Sequence, residues 1–185
     1  MDIELLKEGY KKKDYSYTSE VNPNYFVITN KGTDTSDKAQ LEADSLIGLN
    51  NKNNKYIQDR IAENEREVRR IKSINPNAIV DIIGHSLAGT VVLKSALNKY
   101  LNENVNEFRA YNPGTNPIAN YYSGDNIGKA KVKVHRVKGD VISQGELPKN
   151  VILTEYKPKL NLSGIGGFFG KAIQTNISHG LNNFQ

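Results

Sequence analysis

The sequence predicts an α/β fold: one domain, three layers, with a mostly parallel central sheet. Three observations predict it. Strand and helix patterns alternate along the chain, one strand is apolar on both faces, and one helix carries a single apolar stripe. The 185 residues suit one domain spanning 1–185. A chain of this size buries roughly 70% of its unfolded surface, enough for a core without covalent staples.

Residues 15–21 and 25–29 read as two strands joined by the turn Asn22-Pro23-Asn24. A polar stretch, 30–44, follows. Residues 55–74 form an amphipathic helix in which Ile57, Ile61, Val68 and Ile71 share a stripe while Asp59, Arg60, Glu63, Glu65, Arg66 and Glu67 occupy the rest. Asn75-Pro76-Asn77 stops it. The run 78–83 (AIVDII) is short, almost wholly apolar and bounded by turn residues, as in a strand covered on both sides. Residues 87–101 read as a second helix, more apolar and therefore deeper. Strands at 107–111, 131–137 and 151–156 complete the pattern.

The chain has no cysteine, which excludes disulfides, thiolate chemistry and cysteine-based zinc sites and fits a reducing compartment. Its first residues, Met1 to Glu8, are charged and lack the apolar centre of a signal peptide, and no stretch approaches eighteen apolar residues. A cytoplasmic location without a membrane span is the expectation. The net charge of +5 comes from basic residues interleaved with acids, apart from Lys11-Lys12-Lys13. That is the pattern of a solvated lysine-rich surface, compatible with peripheral contact with an anionic membrane and giving no reason to expect a nucleic-acid partner.

The chemistry is carried by Gly84-His85-Ser86-Leu87-Ala88-Gly89. A nucleophile elbow places small residues two before and two after its serine, because the strand-to-helix turn is tight and strained. Here those places hold Gly84 and Ala88, with Gly89 one residue later. An apolar strand runs into the motif and an apolar helix runs out of it, the setting an elbow requires. The bland alternative is a serine that merely caps an ordinary helix.

A serine nucleophile needs a base. Of the three histidines, His85 adjoins the serine, His135 sits mid-strand, and His179 lies late in the chain. In this architecture the order is serine, acid, then a late histidine, which selects His179. The acid should follow a strand at its carboxyl end. Asp140 does so after 131–137, whereas its rival Asp125 precedes that strand and reads as a turn residue.

Together these segments resemble the class 3 lipase family of the α/β-hydrolases, over about residues 25–179. The likeness rests on the elbow, on Lys31-Gly32-Thr33-Asp34 for the family's Arg-Gly-Thr/Ser turn, on Tyr111-Asn112-Pro113-Gly114, on Gly139-Asp140-Val141, and on His179-Gly180-Leu181. Lys31 stands where the family has arginine. The resemblance implies a single-domain α/β-hydrolase-like fold with catalytic Ser86, Asp140 and His179. It also implies an oxyanion hole from Thr33 and the backbone N–H of Leu87. The implied activity is hydrolysis of carboxylic esters, above all lipid or phospholipid esters, through an acyl-enzyme and with no metal or cofactor. Thioesters are the neighbouring substrate class. An inactive lipid- or partner-binding protein on the same fold is the alternative. The segment 164–170, with Phe168 and Phe169 among glycines, reads as a loop packed on the core or as an acyl-chain contact.

Overall fold

The computed structural model describes residues 2–11, 16–18, 22–32, 54–115, 122, 124–140, 142–158 and 181–184. Asparagines punctuate it. Asn54 adopts an extended conformation and accepts the N–H of Ile57 at 3.3 Å, starting the 20-residue helix Lys55–Ile74, here α2. Asn75 ends that helix, donating its N–H to Ile71 and accepting the N–H of Asn77 at 3.1 Å. The stripe Ile57, Ile61, Val68 and Ile71 is buried as expected, together with Asn64, whose amide donates to Ser95 Oγ at 3.1 Å. A buried amide is tolerated because it is bonded.

Six strands form one sheet in sequential order: β1 (Ser16–Thr18), β2 (Tyr25–Asn30), β3 (Ile79–His85), β4 (Glu107–Tyr111), β5 (Val132–Val137) and β6 (Ile152–Tyr156). β1 is antiparallel to β2, and the other neighbours are parallel. The fold is thus α/β with a mostly parallel sheet. Parallel crossovers are right-handed, so strands added in one direction put their connecting helices on one face. Accordingly α2, α3 (Leu87–Ser95) and α4 (Lys99–Asn104) share a core with Ile28, Val80, Ile82, Phe108, Val132 and Val134. The opposite face falls to an N-terminal helix, α1 (Asp2–Lys11), which the sequence analysis left unassigned. Its Ile3 and Leu6 pack on Val27, Ile83 and Tyr111, alongside Phe184 of a terminal 3-10 turn, Leu181–Phe184.

Two expectations change. The helix expected over 87–101 is two helices, broken at 96–98. Asn98 takes φ −71°, ψ 124° and caps α4 by accepting the N–H of Leu101 at 3.1 Å, and Asn102 donates to the freed carbonyl of Ala96 at 2.7 Å. Asparagine offers the backbone this alternative to continued helix. The strand expected over 78–83 runs on to His85, and its first residue Ile79 is 42% exposed at the amino edge. Asp81, inside that apolar run, is buried but paired. It accepts from Arg109 Nη1 at 2.6 Å, Asn106 Nδ2 at 2.8 Å and the Tyr25 hydroxyl. The face beneath α1 is therefore ionic at its amino half and aromatic toward the carboxyl edge.

Candidate active site

β3 delivers the chain to the carboxyl edge, where Ser86 turns it into α3 at φ 60°, ψ −126°. An L-residue held there costs of order 1–3 kcal/mol and persists only where its surroundings force it. Those surroundings are specific. The Ser86 N–H donates to Tyr111 O at 3.0 Å, and its carbonyl accepts from Thr90 and Gly114, both at 3.2 Å. A Cβ on Gly84 would lie 2.4 Å from the Ala88 carbonyl oxygen and 2.9 Å from Val92 Cγ2, so only glycine lets the helix fold back this closely. A Cβ on Gly89 would lie 2.9 Å from Pro113 Cα, which explains the small residue one place beyond the strict motif. The Ser86 side chain makes no capping hydrogen bond to the helix, contrary to the bland alternative. Leu87, fully buried, opens α3, where first-turn amides have no acceptor within the helix and the dipole favours negative charge.

Asp140 lies three residues beyond β5 and is fully buried. Its Oδ1 accepts the N–H of Ile142 at 3.2 Å and its Oδ2 accepts the Ser143 hydroxyl at 2.8 Å. Gly139, at φ 88°, makes the turn that reaches it. Arg136 anchors the same loop from β5, donating to the carbonyls of Ser143 at 3.3 Å and Gly145 at 3.4 Å.

The loop after β4 joins the two. Asn112, buried at φ 40°, donates its N–H to His135 O at 2.7 Å and accepts the N–H of Val137 at 2.8 Å. Gly114 then bonds to Ser86, while Thr115 donates to Ile142 O through its N–H at 2.9 Å and its hydroxyl at 3.0 Å. Thr115 Oγ1 in turn accepts from Gly145 N at 2.8 Å. In the sequence Asn112 to Gly114 stand out only by their order, and Thr115 and Ser143 look like any loop hydroxyls until the loops meet.

Asp125 is used elsewhere. It pairs with Lys94 in the last turn of α3, eight residues on from Ser86 and so about 12 Å along the helix. A cavity of about 340 Å³ lined by Tyr122, Gly124, Asp125, Glu146, Leu147 and Lys149 lies at that end of the helix. His135 packs within β5. Its ring stacks on Tyr111 at 4.7 Å, its Nδ1 is 3.0 Å from the Tyr156 hydroxyl, and burial pushes its pKa below the usual histidine value. His85 is buried at the end of β3. His179 and Thr33 lie outside the described residues, as do 34–44 and 164–170.

Below this edge, Arg109 is ion-paired with Asp2, Asp81 and Glu107 at 2.6, 2.6 and 3.0 Å. Burial opposes its charge, but the carboxylates prevail and raise its pKa further. Burial likewise works against the Glu107 carboxylate, yet hydrogen bonds from Lys133 and Arg109 hold it below the usual range. Tyr111 is pushed up chiefly by burial and then by Asp2, which accepts its hydroxyl at 2.8 Å. Among the described residues there is no cluster of His, Asp and Glu suited to a metal ion, and no helix long and apolar enough to cross a membrane.

Ser86 thus turns the chain, in a strained conformation, between a buried strand and a buried helix at the carboxyl edge of a mostly parallel α/β sheet. No protein-family model and no curated protein matches the chain. Two solved structures are similar to it. One is a carboxylesterase from Mesorhizobium loti, 11% identical over 66% of this chain and 60% of that one, with a TM-score of 0.40. The other is YahD, solved with malic acid, 13% identical over 65% of this chain and 63% of that one, with a TM-score of 0.39. Neither selects the class 3 lipase family.

Proposed function

We propose that the chain is a serine hydrolase of carboxylic esters, with lipid or phospholipid esters as its substrate class. The reading is carried by Ser86, held at φ 60°, ψ −126° with its side chain not spent on capping α3. In this mechanism His179 takes the proton from Ser86 Oγ as it attacks the ester carbonyl. Asp140 holds the imidazole in its working tautomer, and Thr33 and the Leu87 N–H receive the oxyanion. Protonated His179 then gives its proton to the departing alkoxide. Water, activated by the same histidine, releases the acyl group. The burial of Asp140 beyond a parallel strand, bonded to Ser143 and Ile142, supports its role, as does the pairing of Asp125 with Lys94 at the other end of α3.

A fluorophosphonate probe tests this directly: peptide mapping should find the label on Ser86. Ser86→Ala should lower ester turnover by on the order of 10⁴-fold while the protein stays folded. Retained turnover in that variant, or no labelling of Ser86, would overturn the proposal. Esters of graded acyl length, offered with and without anionic phospholipid vesicles, test the lipid assignment.

A further inference from the structure

Asn30 closes β2 and is only 2% exposed, yet among the described residues its Nδ2 has no hydrogen-bond partner. The orientation of its amide is set by Arg60, whose Nη2 donates to Asn30 Oδ1 at 3.4 Å. A flipped amide would set two donors against each other. The amide nitrogen is therefore turned away from Arg60. Leaving a buried donor unpaired is costly, and where a native structure does so the group marks strain, a catalytic role or an acceptor that comes from outside the chain.

The register says where this donor stands. Asn30 pairs with Gly84, so its side chain leaves the sheet on the face where a Gly84 side chain would strike Ala88 and Val92 of α3. It thus lies beside the start of the nine-residue α3, at the edge that carries Ser86. The register puts a buried side-chain amide on the same face and edge of the sheet as the first-turn amides of α3. Preorganised, water-shielded donors of this sort stabilise an oxygen that gains negative charge.

Resting on the hydrolase reading above, we infer that Asn30 is a catalytic residue. Its Nδ2 donates to the scissile carbonyl oxygen as that oxygen becomes an oxyanion, alongside the Leu87 N–H. When Ser86 Oγ bonds to the carbonyl carbon, the C=O π pair moves onto oxygen and the serine proton goes to the base. The amide contributes a hydrogen bond and transfers no proton. The pair returns to re-form C=O as the alkoxide leaves with the proton from the base.

Two variants and one spectrum test this. Asn30→Asp keeps the acceptor toward Arg60 and replaces the donor, and Asn30→Leu removes both at similar volume. Each should lower kcat for a p-nitrophenyl ester by about 10²- to 10³-fold with KM nearly unchanged. Each should also raise the Ki of phenylboronate, which forms a tetrahedral anion on the serine, by a similar factor. In the parent, adding phenylboronate should shift the Asn30 side-chain amide protons downfield in a ¹⁵N-correlated spectrum. That measurement decides the matter if either variant fails to fold. Failure of the parent to label at Ser86 with a fluorophosphonate would sink the hydrolase reading itself. A labelled parent with folded Asn30 variants whose kcat stays within about twofold, or with Asn30 protons unmoved by the boronate, would overturn the role of Asn30 alone.

Discussion

Gly114 donates its backbone N–H to the carbonyl of Ser86 at 3.2 Å, and the next residue, Thr115, donates to Ile142 at 2.9 Å. The Ser86 turn and the Asp140 loop are therefore held one residue apart on the same strip of backbone. Just before it, Asn112 is buried and bonded to β5 through both its backbone and its side chain. Disturbing any of these loops should move Ser86 and Asp140 together.

The packing at Gly84 gives the first prediction. A methyl group there would meet the backbone of Ala88, which cannot swing aside as a side-chain end could. Gly84→Ala should destabilise the protein by about 1–3 kcal/mol and abolish turnover by displacing the elbow helix. Gly89→Ala, whose contacts with Pro113 begin at 2.9 Å, should cost less of both. Urea denaturation and ester assays of the two variants check the order.

The two aspartates should separate stability from rate. Asp140→Asn removes the proposed triad acid and should lower turnover by about three to four orders of magnitude. Asp125→Asn removes the carboxylate facing Lys94, and both side chains are less than a fifth exposed. It should cost roughly 1–2 kcal/mol, below the figure for a fully buried pair, and leave the rate near the parent's. A large rate loss in the Asp125 variant with Asp140→Asn unaffected would reverse the assignment.

Ser143 should act through Asp140. Its hydroxyl donates to Oδ2 at 2.8 Å, which fixes the orientation of the carboxylate. Ser143→Ala should lower kcat with KM nearly unchanged. Ser143→Thr, which keeps the hydroxyl, should restore it. An unchanged kcat in the alanine variant would leave Ser143 a packing residue.

His135 makes stability depend on pH. Burial sets its folded pKa below the unfolded value of 6.5. As pH falls below about 6.5, the unfolded chain therefore binds a proton before the folded one does, and stability declines. Glu107, whose folded pKa is depressed, adds a second loss at lower pH as it protonates. Denaturation midpoints of the parent should drop between pH 7.5 and 5.5, and His135→Gln should flatten that window while sparing turnover. An unchanged midpoint in the parent would refute it.

The sequence by itself determined what is local. The stripe of α2 is read from a 3.6-residue period, and its end from Asn75-Pro76-Asn77, a stop signal written in adjacent residues. The elbow is read from Gly84, Ser86 and the apolar segments around them, because the turn's steric demands fall on adjacent positions. Tertiary structure alone decided what depends on distant segments meeting. Asp81, an acid within an apolar strand, is paired by Arg109, Tyr25 and Asn106, which come from other elements. Ser143 and Thr115 brace the two loops only where these close on each other, and Asp125 meets Lys94 from 31 residues away. The amide of Asn30 is buried without an acceptor among the described residues only in the folded chain, since an unpaired donor is a property of surroundings and leaves no mark in the residue order.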